Sequence, residues 1–207
     1  MSDRIVLGIE SAIAGGSISI CKNNIEVGCW IGDQNVSRAE DLLPNIDRLL
    51  RSRAISLDSI ERIIVSLGPG SFTGIKIGLS TILGLRAALG ITCVGIDSLS
   101  TLALVSKDRL VIAAVPVGRG TVCVQAFSEN ETVGKPRLIN EVELEQTHTD
   151  GGSQLVLHGS LFDADRFPGA VNAGWNMALH LCSAVDSPAV TSDLRPMFVE
   201  RNLMTAK

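Results

Sequence analysis

Tyrosine is absent from this sequence, and aromatic residues make up only 3% of its 207 positions. A protein that reads single-stranded nucleic acid by stacking needs exposed rings, so a base-stacking platform is not expected. Clustered positive charge is missing too. Lys and Arg number 18 against 22 Asp and Glu, a net charge of −4, and no Lys/Arg cluster occurs. Phosphate contacts supply much of an RNA binder's affinity, so this chain is not expected to hold RNA by itself. There is no run of about 18 uncharged apolar residues. The longest apolar stretch, Ile75 to Leu89, is broken by Lys76 and Arg86 and by Gly78 and Gly84. No membrane-spanning helix is expected. Met1-Ser2-Asp3-Arg4 runs straight into a β-like segment without a secretory leader, so the expected compartment is the cytoplasm.

Familiar catalytic and metal patterns are missing as well. The five cysteines (Cys21, Cys29, Cys93, Cys123, Cys182) are odd in number, widely spaced and without a C-x-x-C pair, which disfavours a zinc ribbon or a disulfide frame. They read as small buried apolar residues in a reducing compartment. His148, His158 and His180 form no H-x-x-x-H pair, so a zincin-type centre lacks its ligands. They read as two loop or strand histidines and one helical one. Gly-x-Ser-x-Gly is absent. Neither a catalytic residue nor a metal ligand is assigned. Glu10 and Asp97, each following an apolar strand, read as capping or loop residues.

What is present is a 45% hydrophobic chain, long enough to bury a core. Ile5–Ile9, Gly16–Ile20 and Ile25–Trp30 read as a β-meander. Ala39, Leu42, Leu43, Ile46, Leu49 and Leu50 then follow helical spacing. Ser37 and Glu40 stand at capping-box spacing, and Pro44 either kinks this helix or marks a later start. Ile60–Leu67 is a strand, Ile75–Leu89 a helix stopped by Gly90, Ile91–Gly95 a strand, and Asp97 caps a further helix. The order is α/β. Leu110–Val115 and Thr121–Phe127, joined by a glycine turn, repeat the opening hairpin, which predicts two lobes, 1–106 and 107–207. Beyond them Asn130–Glu145 reads as a polar stretch and 148–153 as a surface loop. Leu155–Gly159 reads as a short strand, Trp175–Val185 as a helix, and the segment from Arg195 as an extended edge.

The most informative segment is Gly68-Pro69-Gly70-Ser71-Phe72-Thr73-Gly74, followed by Ile75-Lys76-Ile77-Gly78-Leu79. A glycine-rich strand-to-helix loop allows close backbone approach, Ser71 or Thr73 can cap the helix, and backbone N–H groups at a helix start can face an anion. It is neither a Walker A loop nor G-x-G-x-x-G. Phosphate cradling and a tight packing turn both remain open on spacing alone.

That segment resembles the signature of the TsaB (YeaZ) family. Ile5–Ile20 resembles the family's opening hairpin, and Ser37–Pro44 its first helix. Val94–Ala103 is similar to the segment after its second helix, and Arg195-Pro196-Met197-Phe198-Val199-Glu200-Arg201 to its C-terminal signature. The resemblance implies an actin-like ATPase (ASKHA) fold of two duplicated lobes, with mixed sheets flanked by helices. It implies a non-catalytic scaffold that binds TsaD, which transfers the threonylcarbamoyl group to adenosine 37 of tRNA. TsaE would join the assembly, and tRNA would be met only through the complex. The chain alone would form a homodimer. The implied partner or dimer contacts are Leu42, Ile46, Ile75, Gly78 and Ile82. The resemblance implies no intrinsic cofactor, and places ATP or ADP with magnesium at the partner contact, near the Gly68–Gly74 loop. Departures at Glu10-Ser11, Ile13, Ser37-Arg38-Ala39 and Pro116, where the family carries Asp, hydroxyl, His and Asp residues, argue against autonomous ATP hydrolysis. The competing expectation is an enzyme of the same fold: a glycoprotease-like (peptidase M22-like) hydrolase or an ATP-dependent small-molecule kinase.

Overall fold

The computed structural model describes residues 3–13, 15–33, 41–149 (side chains to 147) and 152–199. The first five-stranded sheet is built from β1 (Ile5–Glu10), β2 (Ser17–Lys22), β3 (Ile25–Ile31), β4 (Arg62–Ser66) and β5 (Thr92–Ile96), in the order β3-β2-β1-β4-β5. The second holds β6 (Leu110–Gly118), β7 (Thr121–Ser128), β8 (Glu131–Asn140), β9 (Gln154–Leu157) and β10 (Val171–Asn172), in the order β10-β9-β6-β7-β8. In each, the three opening strands pair antiparallel and the last two join parallel. The helices are α1 (Leu42–Ser52), α2 (Phe72–Leu89), α3 (Ser98–Ala103), α4 (Glu141–Thr149) and α5 (Met177–Ser183).

Local chemistry accounts for the best-defined elements. β1 is buried from end to end, because a central strand covered on both faces needs an unbroken apolar run. α2 starts where the Ser71 hydroxyl accepts the Gly74 N–H, and ends at left-handed Gly90 (φ 70°), whose N–H bonds the Arg86 carbonyl. Pro44 sits in the first turn of α1, where a missing N–H costs nothing, so it marks a start rather than a kink. The expected Ser37–Glu40 cap lies outside the described residues.

Two expectations change. Asn130–Glu145, read as polar and featureless, forms β8 and the start of α4, and His148 belongs to α4 rather than to a loop. β8 is an edge strand with little burial, so its sequence carries no alternation; Lys135, Pro136 and Arg137 are residues that guard such an edge.

The two halves exchange helices. α3, from the first half, puts Leu99 and Leu102 into the core of the second sheet beside Val111, Val115 and Phe127. α5, from the second half, puts Leu181 and Cys182 against Val6, Cys21 and Ile64 of the first. The chain after α5 also returns to the first sheet, where Gly95 and Thr191 exchange backbone hydrogen bonds of 2.8 Å. The largest core cluster lies between the first sheet and α1–α2, with Ile9, Ile18, Ile63 and Ile82 fully buried, each worth about 2 kcal/mol of transfer free energy. Among the described residues α2 alone has the length and composition of a membrane span; Gly74, Ile75, Gly78, Leu79, Ile82 and Leu85 are buried inside the protein.

Candidate functional site

The Gly68–Gly74 loop leaves the C-terminal end of β4 and opens α2. Its Gly68–Pro69 peptide is cis and Gly68 has φ 91°. Three parts of the chain hold it. Ser71 N–H donates to the Ala12 carbonyl at 2.6 Å, Ser98 N–H donates to the Gly68 carbonyl at 2.7 Å, and Met197 N–H donates to the Leu67 carbonyl at 2.7 Å. Gly68 N–H is spent on the Ser66 hydroxyl and Gly74 N–H on the Ser71 hydroxyl. Amides at Gly68, Ser71 and Gly74 are thus engaged within the protein and are not open to an anion. Thr73, the other candidate cap, is exposed.

The glycine spacing has a local cause. Gly70, Gly74 and Gly78 lie four residues apart, and the turn after β1 rests on all three. A β-carbon at Gly70 would strike the Ala12 carbonyl, one at Gly74 the Ser11 carbonyl, and one at Gly78 the Ser11 hydroxyl. Ser11 Oγ also donates to the Gly74 carbonyl at 2.9 Å. The element that comes close to this small-residue face is the chain's own hairpin, not a second helix.

The contact set expected from the resemblance is corrected in the same way. Leu42, Ile46, Ile75 and Ile82 are at most 3% exposed and sit in the first core cluster, while Gly78 is buried beneath Ser11. A helix on a sheet must spend one apolar stripe inward, and these residues are that stripe. The outward face of α2 includes Thr73, Lys76, Ser80, Leu83, Gly84, Ala87 and Ala88, with Arg86 and Leu89 also exposed, and Leu43 is exposed on neighbouring α1. Around Gly84 no atom would meet an added β-carbon within 4 Å. Phe72, 54% exposed, packs its ring 5.1 Å from Phe198, and Lys76 Nζ lies 4.0 Å from the Phe72 ring centre. The sequence pointed to the Pro196–Phe198 signature but not to this contact with the glycine loop.

Beside the loop a cleft of about 710 Å³ is bounded by Pro69–Ser71, the Gly118–Gly120 turn of the second sheet and the Met197–Val199 strap. Its walls are mostly apolar (Pro116, Val117, Leu138, Leu161), with Arg119 and Glu141 the charged residues lining it. A magnesium–nucleotide fits these residues poorly. Glu10, which stands where an actin-like hairpin would present its acid, is 1% exposed, and its Oε1 accepts the N–H groups of Ala12 (a very short contact) and Ile13 (3.0 Å). Burial pushes the Glu10 carboxyl above the usual range, against the opposing pull of the Ser66 hydroxyl, the two amides and the Ser98 hydroxyl. Asp97 caps α3, accepting Ser100 N–H at 2.8 Å. No group of three or more His, Cys, Asp and Glu side chains that could hold a metal occurs among the described residues.

Comparison with known proteins adds to this geometry. A family model described as TsaD, tRNA N6-adenosine threonylcarbamoyltransferase, matches residues 35–140, just over half of the chain. The tRNA threonylcarbamoyladenosine biosynthesis protein TsaB of Buchnera aphidicola (Schizaphis graminum) is 30% identical over 139 residues, covering 64% of this chain and 64% of that protein. The chain spans less than two thirds of the length of such curated relatives. The solved structure of YeaZ from Pseudomonas aeruginosa superposes with a TM-score of 0.68 over 95% of this chain and 100% of that one, at 18% identity. A Bacteroides thetaiotaomicron protein with an actin-like ATPase fold superposes at 0.50, with 13% identity, over 88% and 96%. The fold is therefore α/β, with two mixed sheets flanked by helices, and is similar to the actin-like ATPase fold of that protein. On the family match over residues 35–140, the chain belongs to this family of tRNA N6-adenosine threonylcarbamoyltransferase-related proteins, and within it is similar to TsaB.

Proposed function

We propose that this chain is a non-catalytic scaffold that binds a TsaD protein during synthesis of threonylcarbamoyladenosine at position 37 of tRNA. The observation that carries the reading is α2. Apart from the charged Lys76 and Arg86, its exposed residues are small or apolar, as those of its core face are, and such a stripe left facing outward calls for a cover. Ser80, Leu83, Gly84, Ala87 and Ala88, with Leu43 of α1, supply a docking face on which another helix can come close, and they replace the buried set expected from the resemblance. The same face pairs two copies of the chain when TsaD is absent. The repeated strand order supports two duplicated actin-like lobes, 1–106 and 107–207, each lending its last helix to the other. TsaE enters the assembly through TsaD, tRNA is met only there, and ATP or ADP with magnesium belongs at the partner contact, since the cleft offers it poor ligands. The work is cytoplasmic.

The test is size-exclusion chromatography with light scattering, on the chain alone and mixed with the TsaD protein of its own organism. Gly78 is unsuitable as a probe because it is packed under Ser11. Gly84→Arg adds a long cation on an open face. We expect the mixture to form a heteromeric peak and Gly84→Arg to abolish it with an unchanged melting temperature. No complex at tens of micromolar, with or without ATP and magnesium, would overturn the scaffold reading. Magnesium-dependent ATP turnover by the isolated chain would favour the kinase, and peptide hydrolysis the glycoprotease-like enzyme.

A further inference from the structure

Glu10 ends β1 at the point where the parallel strands β1 and β4 and the start of α3 converge. One carboxyl oxygen is satisfied: Oε1 receives the Ala12 and Ile13 amides. The other is not. Oε2 is buried and has no hydrogen-bond partner of good geometry. The hydroxyls of Ser66, at the end of β4, and Ser98, at the start of α3, face the carboxyl, but their 2.7 Å bond is to each other. No charged group counts among the influences on Glu10, which are burial, these two hydroxyls and the two amides. The nearby acid Asp97 is turned away to cap α3, and Ser11 is committed to the Gly74 carbonyl. A fully buried ionised carboxylate with no counter-charge is strongly disfavoured even where a hydroxyl of the serine pair can turn towards it, whereas a neutral carboxylic acid needs no counter-charge.

We propose that Glu10 is held as a neutral carboxylic acid whose Oε2–H donates to the Ser66–Ser98 hydroxyl pair. In that form it is a positioning residue for α2. Its Oε1 fixes the turn at Ala12–Ile13, its Oε2 fixes the Ser66 hydroxyl that receives Gly68 N–H, and the turn in between carries Gly70, Gly74 and Gly78. The proton thus joins the hairpin turn to the glycine loop. A glutamine reproduces this pattern, with its amide NH2 in place of the acid O–H. An aspartate, shorter by one methylene, cannot span the turn amides and the serines together.

The consequence follows from linkage. A carboxyl whose folded value lies above its ordinary 4.5 favours the fold at low pH, and that contribution shrinks as pH rises. Glu10→Gln removes the dependence. We expect Glu10→Gln to melt on the order of 5 °C above the parent at pH 7.5, with the gap closing as pH falls towards 4.5, and Glu10→Asp to melt below the parent throughout. In protein labelled with 13C at glutamate carboxyls, one resonance should stay in the protonated range at neutral pH and vanish in Glu10→Gln. Every glutamate carboxyl ionised at pH 7, or a Glu10→Gln variant less stable than the parent there, would overturn the proposal. Neither readout involves TsaD, so this result and the docking result stand or fall separately.

Discussion

The two sheets share one strand order but are finished differently. The first is covered by α1 and α2, of 11 and 18 residues, while the second closes with strands of 4 and 2 residues and the 9-residue α4. Their opening hairpins differ in the same sense. The turn after β1 is clamped beneath three glycines of α2 and its approach loop. The turn after β6 runs through Gly118, Arg119 and Gly120, all at positive φ, with nothing within 4 Å of a β-carbon at either glycine. At the first of these turns glycine serves close packing, and at the second it serves backbone conformation. The strand order repeats, and the proposed docking face sits beside one copy of it.

Substitution of those glycines is the strongest way to break this comparison. At Gly74 an alanine β-carbon would meet the Ser11 carbonyl, backbone against backbone, with no flexible side chain to yield. Gly74→Ala is expected to cost about 3 kcal/mol or more and to lower Tm by roughly 10 °C. At Gly120, with φ 67° and open space, alanine meets only the left-handed backbone penalty, about 1 kcal/mol. Chemical denaturation of both variants measures the contrast, and equal losses would show that the clamp on the first hairpin is not tight.

Glu10 in the first half and His158 in the second are both buried, and the two should respond to pH in opposite directions. His158, just after β9, is 2% exposed; its Nδ1 meets the Ser160 hydroxyl at 2.8 Å and its ring stands edge-on to Trp175. Burial, reinforced by nearby His180, lowers it from 6.5 to about 4. The neutral ring is thus the folded form. Its stabilising contribution is complete above pH 6.5 and is lost as pH falls towards 4, by about 3 kcal/mol. Glu10 works the other way, losing its contribution as pH rises. Melting curves between pH 4 and 7 should show the parent losing stability on acidification while His158→Gln, less stable at pH 7, loses much less over that interval. Parallel curves would mean that His158 titrates normally.

Sequence patterns revealed the first half far better than the second, and the reason is burial. β1 is buried throughout and β5 nearly so, which keeps their runs apolar, and Ser71, Gly90 and Asp97 mark the helix ends as their residue types suggest. β8 and α4 are peripheral, so no period marks them. The site was legible in part. The Gly68–Gly74 loop stood out, but a stripe of Leu42, Ile46, Ile75 and Ile82 looks the same whether it faces a sheet or a partner, and only the fold separates the two. Glu10 looked like an ordinary strand-end acid, since its isolation depends on Ser66 and Ser98, 56 and 88 residues away in the chain.

The exchange of helices gives the smallest and sharpest test. α5 grips the first sheet in two ways. One is the apolar packing of Leu181 and Cys182. The other is Arg4, whose Nη1 and Nη2 bond the two Asp186 oxygens at 2.6 and 2.7 Å just beyond the helix. The pairing draws Asp186 below the usual carboxylate range, so its contribution is present above 3.8 and is lost as pH falls below that. Asp186 is nevertheless 61% exposed, and solvent screens the pair. Asp186→Asn is expected to cost roughly 0.5 kcal/mol at low salt, and the difference should fade in about 1 M salt, where charges are screened within about 3 Å. A loss that persists in high salt would mean that the two hydrogen bonds, rather than charge attraction, carry the Arg4–Asp186 contact.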